Sequence, residues 1–520
     1  MIYSVTAVFC RSVTIELLND DIYRPSEAVD VYLNGVFVKK ADTNVFSIYN
    51  LTPDTKYRLS INGIEETFVT KRESVFLDVR RFGACGDGEK NDTAAIQAAI
   101  SSCPPDGTVY IPAGKYLSGP LFLKSEMSLF LDEGAEIKGL TDRNEYPVLP
   151  GMTPTTDEKC EYNLATWEGN PLDMFASLIT ATGCHDLDII GEGTINGSAS
   201  ESDWWVDPKV RHIAWRPNLV FISHCSNVRM QGVTVTNSPS WTVHPYYSDH
   251  LQFLDLRISN PYDSPNTDGF DPESCNSVML LGTVISVGDD CVAIKSGKLY
   301  MATEHFMRTD GIEIRNCLFE NGHGSVTVGS EIAGGVNNVH VSQCIFKGTD
   351  RGVRIKSRRG RGEKSILDGL FFEKIIMDGV HMPLTVNMFY FCDPDGHSDY
   401  VQSMEPVPVD ENTPVIGKIE LSDIRCTGVR GCIICAYGLP EQKIRCISVK
   451  NMTVTFADAA DREPEQVVMA DNVPHMTGRG FVLHNVAEVR LKNVSVTGCD
   501  DSEPEMIGLE SSELDNVIIE

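Results

Sequence analysis

Three aspartates carry the first hint of chemistry: Asp268 in Asn266-Thr267-Asp268-Gly269-Phe270-Asp271, and the adjacent pair in Gly288-Asp289-Asp290-Cys291. Two or three carboxyl groups in one cleft are what cleavage of a glycosidic bond requires. One, protonated, helps the leaving oxygen depart, while another, ionised, activates water or attacks carbon. Close carboxylates also repel each other's charge, which raises one pKa and can keep an acid protonated near neutral pH. Downstream, His323 in Gly322-His323-Gly324 adds an imidazole, and Arg354-Ile355-Lys356 adds two cations suited to pairing with carboxylates. An isolated aspartate in a turn ordinarily hydrogen-bonds its own backbone, so Asp271, just before Pro272-Glu273, reads as a turn former. Asp268 reads otherwise because of what lies at regular distances beyond it.

Those distances imply a solenoid. Short β-branched runs recur in NVRMQGVTVTNS, HLQFLDLRISNP, SVMLLGTVISVG, GIEIRNCLFENG, NVHVSQCIFKGT and GLFFEKIIMDG, and their starts lie roughly 23 to 34 residues apart. A repeat of that length means stacked units. The units hold two or three short strands and no helix-length stretches, which excludes helical repeats and leaves a right-handed parallel β-helix. Equivalent positions in successive coils stack about 4.8 Å apart. Asp268 precedes Asp289 by 21 residues, and the steps to His323 and then Arg354 are 34 and 31, each one coil with an inserted loop, for example around Leu299 to Asp310. Carboxylates, imidazole and cations are therefore expected on one wall. Strand alternation puts Arg354 and Lys356 on one face and Ile355 on the other. Asp289 and Asp290, as neighbours, can share a site only if the backbone turns, for which Gly288 is suited. Asn227, Asn276 and Asn338 read as turn or ladder residues.

The chain has 520 residues, 42% hydrophobic and 22% charged, the make-up of a globular protein. No run approaches the roughly 18 apolar residues of a membrane span. A net charge of −29 argues against nucleic acid as a partner. It also raises an objection to a polyanionic substrate, answered locally by Arg351, Arg354, Lys356, Arg358, Arg359, Arg361 and Lys364. Within that cluster, Arg358 to Arg361 read equally as substrate contacts or as an exposed loop, and Lys295 and Lys298 as contacts or a solvated face. The sixteen cysteines are scattered singly, as buried thiols are, and Cys432 and Cys435 lack the further ligands of a zinc set. With no basic opening to the N-terminus, a cytoplasmic location is expected. No metal or cofactor is expected.

Residues 1–72 alternate apolar and polar positions between turn signals, as in a small β-sandwich. From residue 76 a strand and a Gly-rich turn lead into Asn91–Ile100, a helix with Asp92 as N-cap and Ala95, Ile96, Ala99 and Ile100 as its buried stripe.

The motifs NTDGFD, GDDCVAIKSG, GHGSVTVGS and GVRIKS, in this order, resemble glycoside hydrolase family 28, the polygalacturonases. The strand, turn and helix after residue 76 resemble the N-terminal cap of pectin-degrading β-helix enzymes, and Leu51–Tyr57 resembles the corner of fibronectin type III modules. The resemblance implies a catalytic β-helix over 76–520 and inverting hydrolysis of galacturonosidic bonds in polygalacturonate or its oligomers. Asp289 would be the general acid, Asp268 and Asp290 would activate the water, and His323 would support the acid. Arg354, Lys356, Asn266 and Tyr390 would contact substrate. Side-chain direction would have to open the carboxyl gap beyond the coil spacing to reach the roughly 6.5–9.5 Å of inverting enzymes. The sandwich, the 140–176 segment and the insertion after Gly297 are expected to wall one end of a groove, giving attack from a chain end. Competing readings are a rhamnogalacturonan or xylogalacturonan hydrolase, a pectate lyase, and a glycan-binding solenoid without activity.

Overall fold

The structure, a computed structural model, describes residues 2–501 and 503–519. Residues 2–69 form two antiparallel sheets: Ile2–Val8, Val13–Leu18 and Val45–Ile48 in one, and Val29–Leu33, Val36–Ala41, Lys56–Ile61 and Ile64–Val69 in the other. Val29, Val31 and Leu33 point into a core shared with Val13, Ile15 and Leu59, while Asp30 and Tyr32 face out. In the expected corner, the Thr52 N–H donates to the Tyr57 hydroxyl at 2.9 Å, tying the loop to the strand it enters.

The remainder is a right-handed parallel β-helix. Each coil contributes short strands to successive faces, and strands pair in parallel with those of the next coil. The face that matters for function is a seven-stranded sheet of Asp290–Ile294, Gly324–Val328, Arg351–Lys356, Met382–Asn387, Cys432–Tyr437, Arg479–His484 and Glu505–Ile507. On its N-terminal side it continues, through single bridges at Phe270 and Glu273, into a four-stranded sheet ending at Val243–Tyr246. The coil carrying Asp268 is thus the irregular one, pinned at only two points.

Register follows from the interior. Val292, Val326, Val353, Leu384 and Ile434 stand level in successive coils, and all are fully buried. Each such side chain contributes about 1.5–3 kcal/mol by leaving water, and a slip of one residue would turn the whole column outward. The turns are held by side-chain ladders: Asn516 donates to Asn493 and Asn493 to Asn451, each at 3.0 Å. Asn227 and Asn338 adopt the left-handed backbone their turns need.

The helix Thr93–Ser102 covers the N-terminal end of this interior with Ile96, Ala99 and Ile100. Asp92 stands at the N-cap position but does not cap; its carboxylate accepts instead from the N–H groups of Cys85 and Gly86, at 2.7 and 2.9 Å. The Gly-rich turn offers closer donors than the helix does. All sixteen cysteines are free thiols, and Cys432 and Cys435 are buried strand residues. Among the described residues no helix is long and apolar enough to cross a membrane.

Candidate active site

Strand alternation sends Val353 and Ile355 inward and leaves Arg354 and Lys356 facing a cleft of about 720 Å³, on whose floor the three aspartates lie. Asp289 and Asp290 share that cleft because the chain bends at Gly288 and Asp289 before the strand begins at Asp290. Gly288 is required there: a Cβ would come within 2.4 Å of the Ser264 carbonyl oxygen. The bend is closed by the Asp290 N–H, which donates to Asp289 Oδ1 at 3.0 Å.

Coil spacing brings the groups together with two changes of partner. The bridge between Phe270 and Val292, with the Gly269 N–H donating to the Asp290 carbonyl at 3.0 Å, puts Asp268 level with Asp290 rather than Asp289. Asp289 is level with His323, whose N–H donates to the Asp289 carbonyl at 3.0 Å. The next coil sets Arg354 level with Thr327, so the group beyond His323 is Asp350, not Arg354. His323 Nδ1 lies 2.8 Å from Asp350 Oδ2. The expected order along the wall therefore holds, but the loop thought to lie between His323 and Arg354 is absent and an extra carboxylate stands in the register position.

One carboxylate oxygen from each of Asp268, Asp289 and Asp290 lies within 4.8 Å of the other two. At these oxygens the gap is no wider than the coil spacing. The surroundings of the three differ sharply. Asp290 is buried between Arg354 Nη1 at 3.0 Å and Lys356 Nζ at 2.9 Å. Burial opposes its charge, but the two cations prevail and hold it far below the usual carboxylate range. Asp268, also buried, is pushed up to about 7, first by burial and then by the Asp289 carboxylate, with Lys295 opposing. Asp289 is half-buried and lines the cleft. His323 is raised, chiefly by its hydrogen bond to Asp350 and further by Asp289 and Asp290, against the effect of burial. Three carboxylate oxygens at this spacing are donors of the kind hard cations take. Here Arg354, Lys356 and Lys295 already supply the compensating charge, which opposes a divalent ion.

Tyr390 is buried at the cleft wall, its ring centroid 5.4 Å from Lys356 Nζ. Asn266 reaches the cleft from a left-handed turn, its Oδ1 accepting from Arg216 Nη2 at 2.8 Å. The cation cluster is mostly spoken for within the chain. Arg358 pairs with Asp393 and Asp395, Arg361 with Asp393, and Arg359 with Glu441 and the carbonyls of Tyr400 and Ser403. All three are buried, so they form neither an exposed loop nor a free electropositive surface. Lys364 donates to the Ala302 carbonyl, leaving Arg351, Arg354 and Lys356 of the cluster facing the cleft. A buried guanidinium must be matched by acceptors, and the matching acids arrive too late in the sequence to be seen beside it.

The walls of the cleft come from inserted segments. Glu168, from the 140–176 stretch, pairs with Lys209, and Trp167 stacks on Trp215 at 4.8 Å. The insertion after Gly297 reaches the cleft through Lys298 and then forms the short helix Leu299–Glu304, with Tyr300 and His305 both contacting Glu161 at 2.7 Å away from the cleft lining. Glu465, Gln466, Met469 and His475 form a further side that no sequence motif marks. The sandwich takes no part. Its Phe9 and Val45 pack against Phe130, Ile190, Leu254 and Leu281 on the outside of another face, and none of its described residues lines the cleft. Sequence reasoning also missed Asp350, Glu331 and Trp241; coil register from His323 could have found the first.

Comparison with known proteins agrees with this geometry. The model of glycosyl hydrolases family 28 matches residues 111–433, and a model of rhamnogalacturonase A/epimerase, pectate lyase-like proteins matches 76–138. A probable polygalacturonase of Vitis vinifera is 29% identical over 74% of this chain and 75% of its own. An endo-polygalacturonase of Pectobacterium carotovorum subsp. carotovorum is 31% identical over 57% of this chain and 72% of its own. The solved structure of the Yersinia enterocolitica family 28 exopolygalacturonase superposes with a TM-score of 0.70 at 19% identity, covering 99% of this chain and 98% of that one, which shows a common fold. A match through the β-helix from its early coils to the cleft strands, including all four motifs in order, makes this chain a glycoside hydrolase belonging to family 28.

Proposed function

We propose that the protein hydrolyses α-1,4-galacturonosidic bonds of polygalacturonate or its oligomers, acting from a chain end and inverting the anomeric carbon. The observation that carries this reading is the trio Asp268, Asp289 and Asp290 at the floor of a cleft lined by Arg351, Arg354, Lys356 and His323. Acids supply the chemistry, and cations suit a sugar carboxylate. The names of the two sequence relatives, both polygalacturonases, support the same substrate.

In the proposed reaction Asp289 gives its proton to the leaving oxygen. It is the most accessible of the three, and placing a proton there removes the neighbouring charge that raises Asp268. Asp290, kept ionised by Arg354 and Lys356, and Asp268 then take the proton of the attacking water. His323, charged through Asp350, stands beside the acid. Asn266 and Tyr390 contact the sugar. Asp289→Asn is expected to lower kcat by about 10²–10⁴-fold while substrate binding, measured by calorimetry, persists. A glycan-binding solenoid without activity would show no turnover to lose.

Attack from a chain end is supported by Glu168 and Lys298, which the 140–176 segment and the insertion after Gly297 bring to the edge of the cleft. A chromatographic time course on polygalacturonate should give one small product from the outset. Early mixed sizes would mean internal cleavage, and an ultraviolet-absorbing unsaturated product would mean elimination instead. The oxygen spacing, within 4.8 Å, is nearer the roughly 5–5.5 Å of enzymes with a covalent intermediate than the roughly 6.5–9.5 Å of inverting ones. The first-formed anomer is therefore a sharp test. Proton NMR should show the β-anomer; an initial α-anomer would turn one aspartate into the nucleophile. The sixteen free thiols suit a reducing compartment, and the reading places the enzyme in the cytoplasm, acting on imported oligomers.

A further inference from the structure

Beneath the three aspartates lies an ammonium group that the proposed reaction leaves unused. Lys295 is 2% exposed, and its Nζ stands 3.5 Å from Asp268 Oδ2, 3.4 Å from Asp271 Oδ1 and 3.5 Å from Glu331 Oε2. The Trp241 ring lies against the same ammonium, its centroid at 4.1 Å, a cation–π contact in a desolvated place. Three near-equal distances mean that no single carboxylate owns the charge. Asp271 is fully buried, neither of its oxygens has a hydrogen bond of good geometry, and burial with the Asp268 charge pushes its carboxyl well above the usual range, so it keeps its proton and takes little of the ammonium's charge. Glu331 has Lys298 as a second cation in its surroundings. Among the described residues Asp268 has no cation in salt-bridge contact other than Lys295.

We propose that Lys295 is a positioning residue that sets how readily Asp268 gives up its proton, with Glu331 competing for its charge. This rests on the role given above to Asp268. The groups facing Asp268 are the carboxylates Asp271, Asp289 and Asp290 and the cations Lys295, Lys356 and, more distantly, Arg216. Among them Lys295 is the cation in contact, and its ammonium also holds Glu331, a carboxylate kept ionised, against burial, by Lys295 and Lys298. A cation beside a carboxyl favours the ionised form, so loss of the Lys295 charge makes Asp268 harder to ionise. Loss of the Glu331 charge frees the ammonium for Asp268, so Asp268 ionises more easily. Asp271, which keeps its proton, adds little to this balance.

The test is the pH profile of kcat/KM on a soluble galacturonate oligomer, for the full chain and for Lys295→Met, Lys295→Arg and Glu331→Gln. The acid limb reports ionisation of the water-activating carboxyl in the free enzyme. In Lys295→Met it should move up by about one pH unit or more, the scale of one charge at this range. Lys295→Arg should restore it, and Glu331→Gln should move it down. Opposite movements in two variants that both remove a buried charge cannot come from loosened packing. Should the acid limb stay fixed in both, or move the same way in both, the inference is overturned. If Lys295→Met does not fold, the direction in Glu331→Gln and the position in Lys295→Arg still decide it. An unchanged chain that releases no sugar from galacturonate oligomers would instead remove the functional reading itself.

Discussion

Asp290 and Asp268 are level in adjacent coils and equally buried, yet their chemistry is opposed, because Asp290 meets two cations at hydrogen-bond distance and Asp268 shares one with two other acids. At similar depth, the contacts decide whether burial's penalty on the charged form prevails or is overcome. The same rule governs His323. Its charge rests first on Asp350, at 2.8 Å, so Asp350→Asn should bring its titration back toward the ordinary histidine value. Ring-proton NMR across pH 5 to 9 would follow the midpoint, each tenfold change in proton affinity amounting to about 1.4 kcal/mol. A midpoint that stayed raised would assign the effect to Asp289 and Asp290 instead. The clustering of the three aspartates was legible in the sequence because their motifs lie one coil apart. Asp350 was not, because its role depends on which of two nearby residues falls opposite His323.

At the scale of the element, the strand Arg351–Lys356 shows how a solenoid separates stability from chemistry. Its inward Val353 and Ile355 lock the coil, and its outward Arg354 and Lys356 hold Asp290. Ile355→Ala should cost about 2–5 kcal/mol, read as a fall in the denaturation midpoint. The cleft cations would remain in place, so the folded fraction should keep its substrate affinity. Gly288 sits on the other side of this division. Its replacement by alanine would drive a Cβ toward the Ser264 carbonyl and shift the bend that holds Asp289, so kcat should fall with little change in melting temperature. Parity within a strand predicted the first case. The second was suggested by the need for a bend, but only the approach of a distant loop made glycine obligatory.

For the molecule as a whole, the sandwich is a lateral brace. It spans several coils, from Phe130 to Leu281 through apolar contact, and reaches Arg315 through Glu16 at 2.7 Å and Lys374 through Asp20 at 2.6 Å. Removing residues 1–72 would uncover Phe130, Ile190, Leu254 and Leu281 on one surface, a patch that promotes association. The expected outcome is a lower melting temperature and larger species in light scattering. Turnover per folded molecule should be retained, since the cleft draws nothing from that segment. A loss of turnover in the monomeric fraction would restore the sandwich to the groove.

The order of the motifs, the parity of strands and the length of the repeat are local properties, and they determined the β-helix, the capping helix with its buried stripe, and the wall that carries Asp268, Asp289, Asp290 and His323. Tertiary structure alone decided where the charges of the site end up. Whether an arginine is free for substrate or bound within the chain depends on acids such as Asp393 and Glu441, brought to it by loops of irregular length. So does the docking of the sandwich on a flank away from the cleft, which rests on apolar residues that in sequence look like any other outward strand positions. Regular stacking transmits information from one coil to the next, and loops do not.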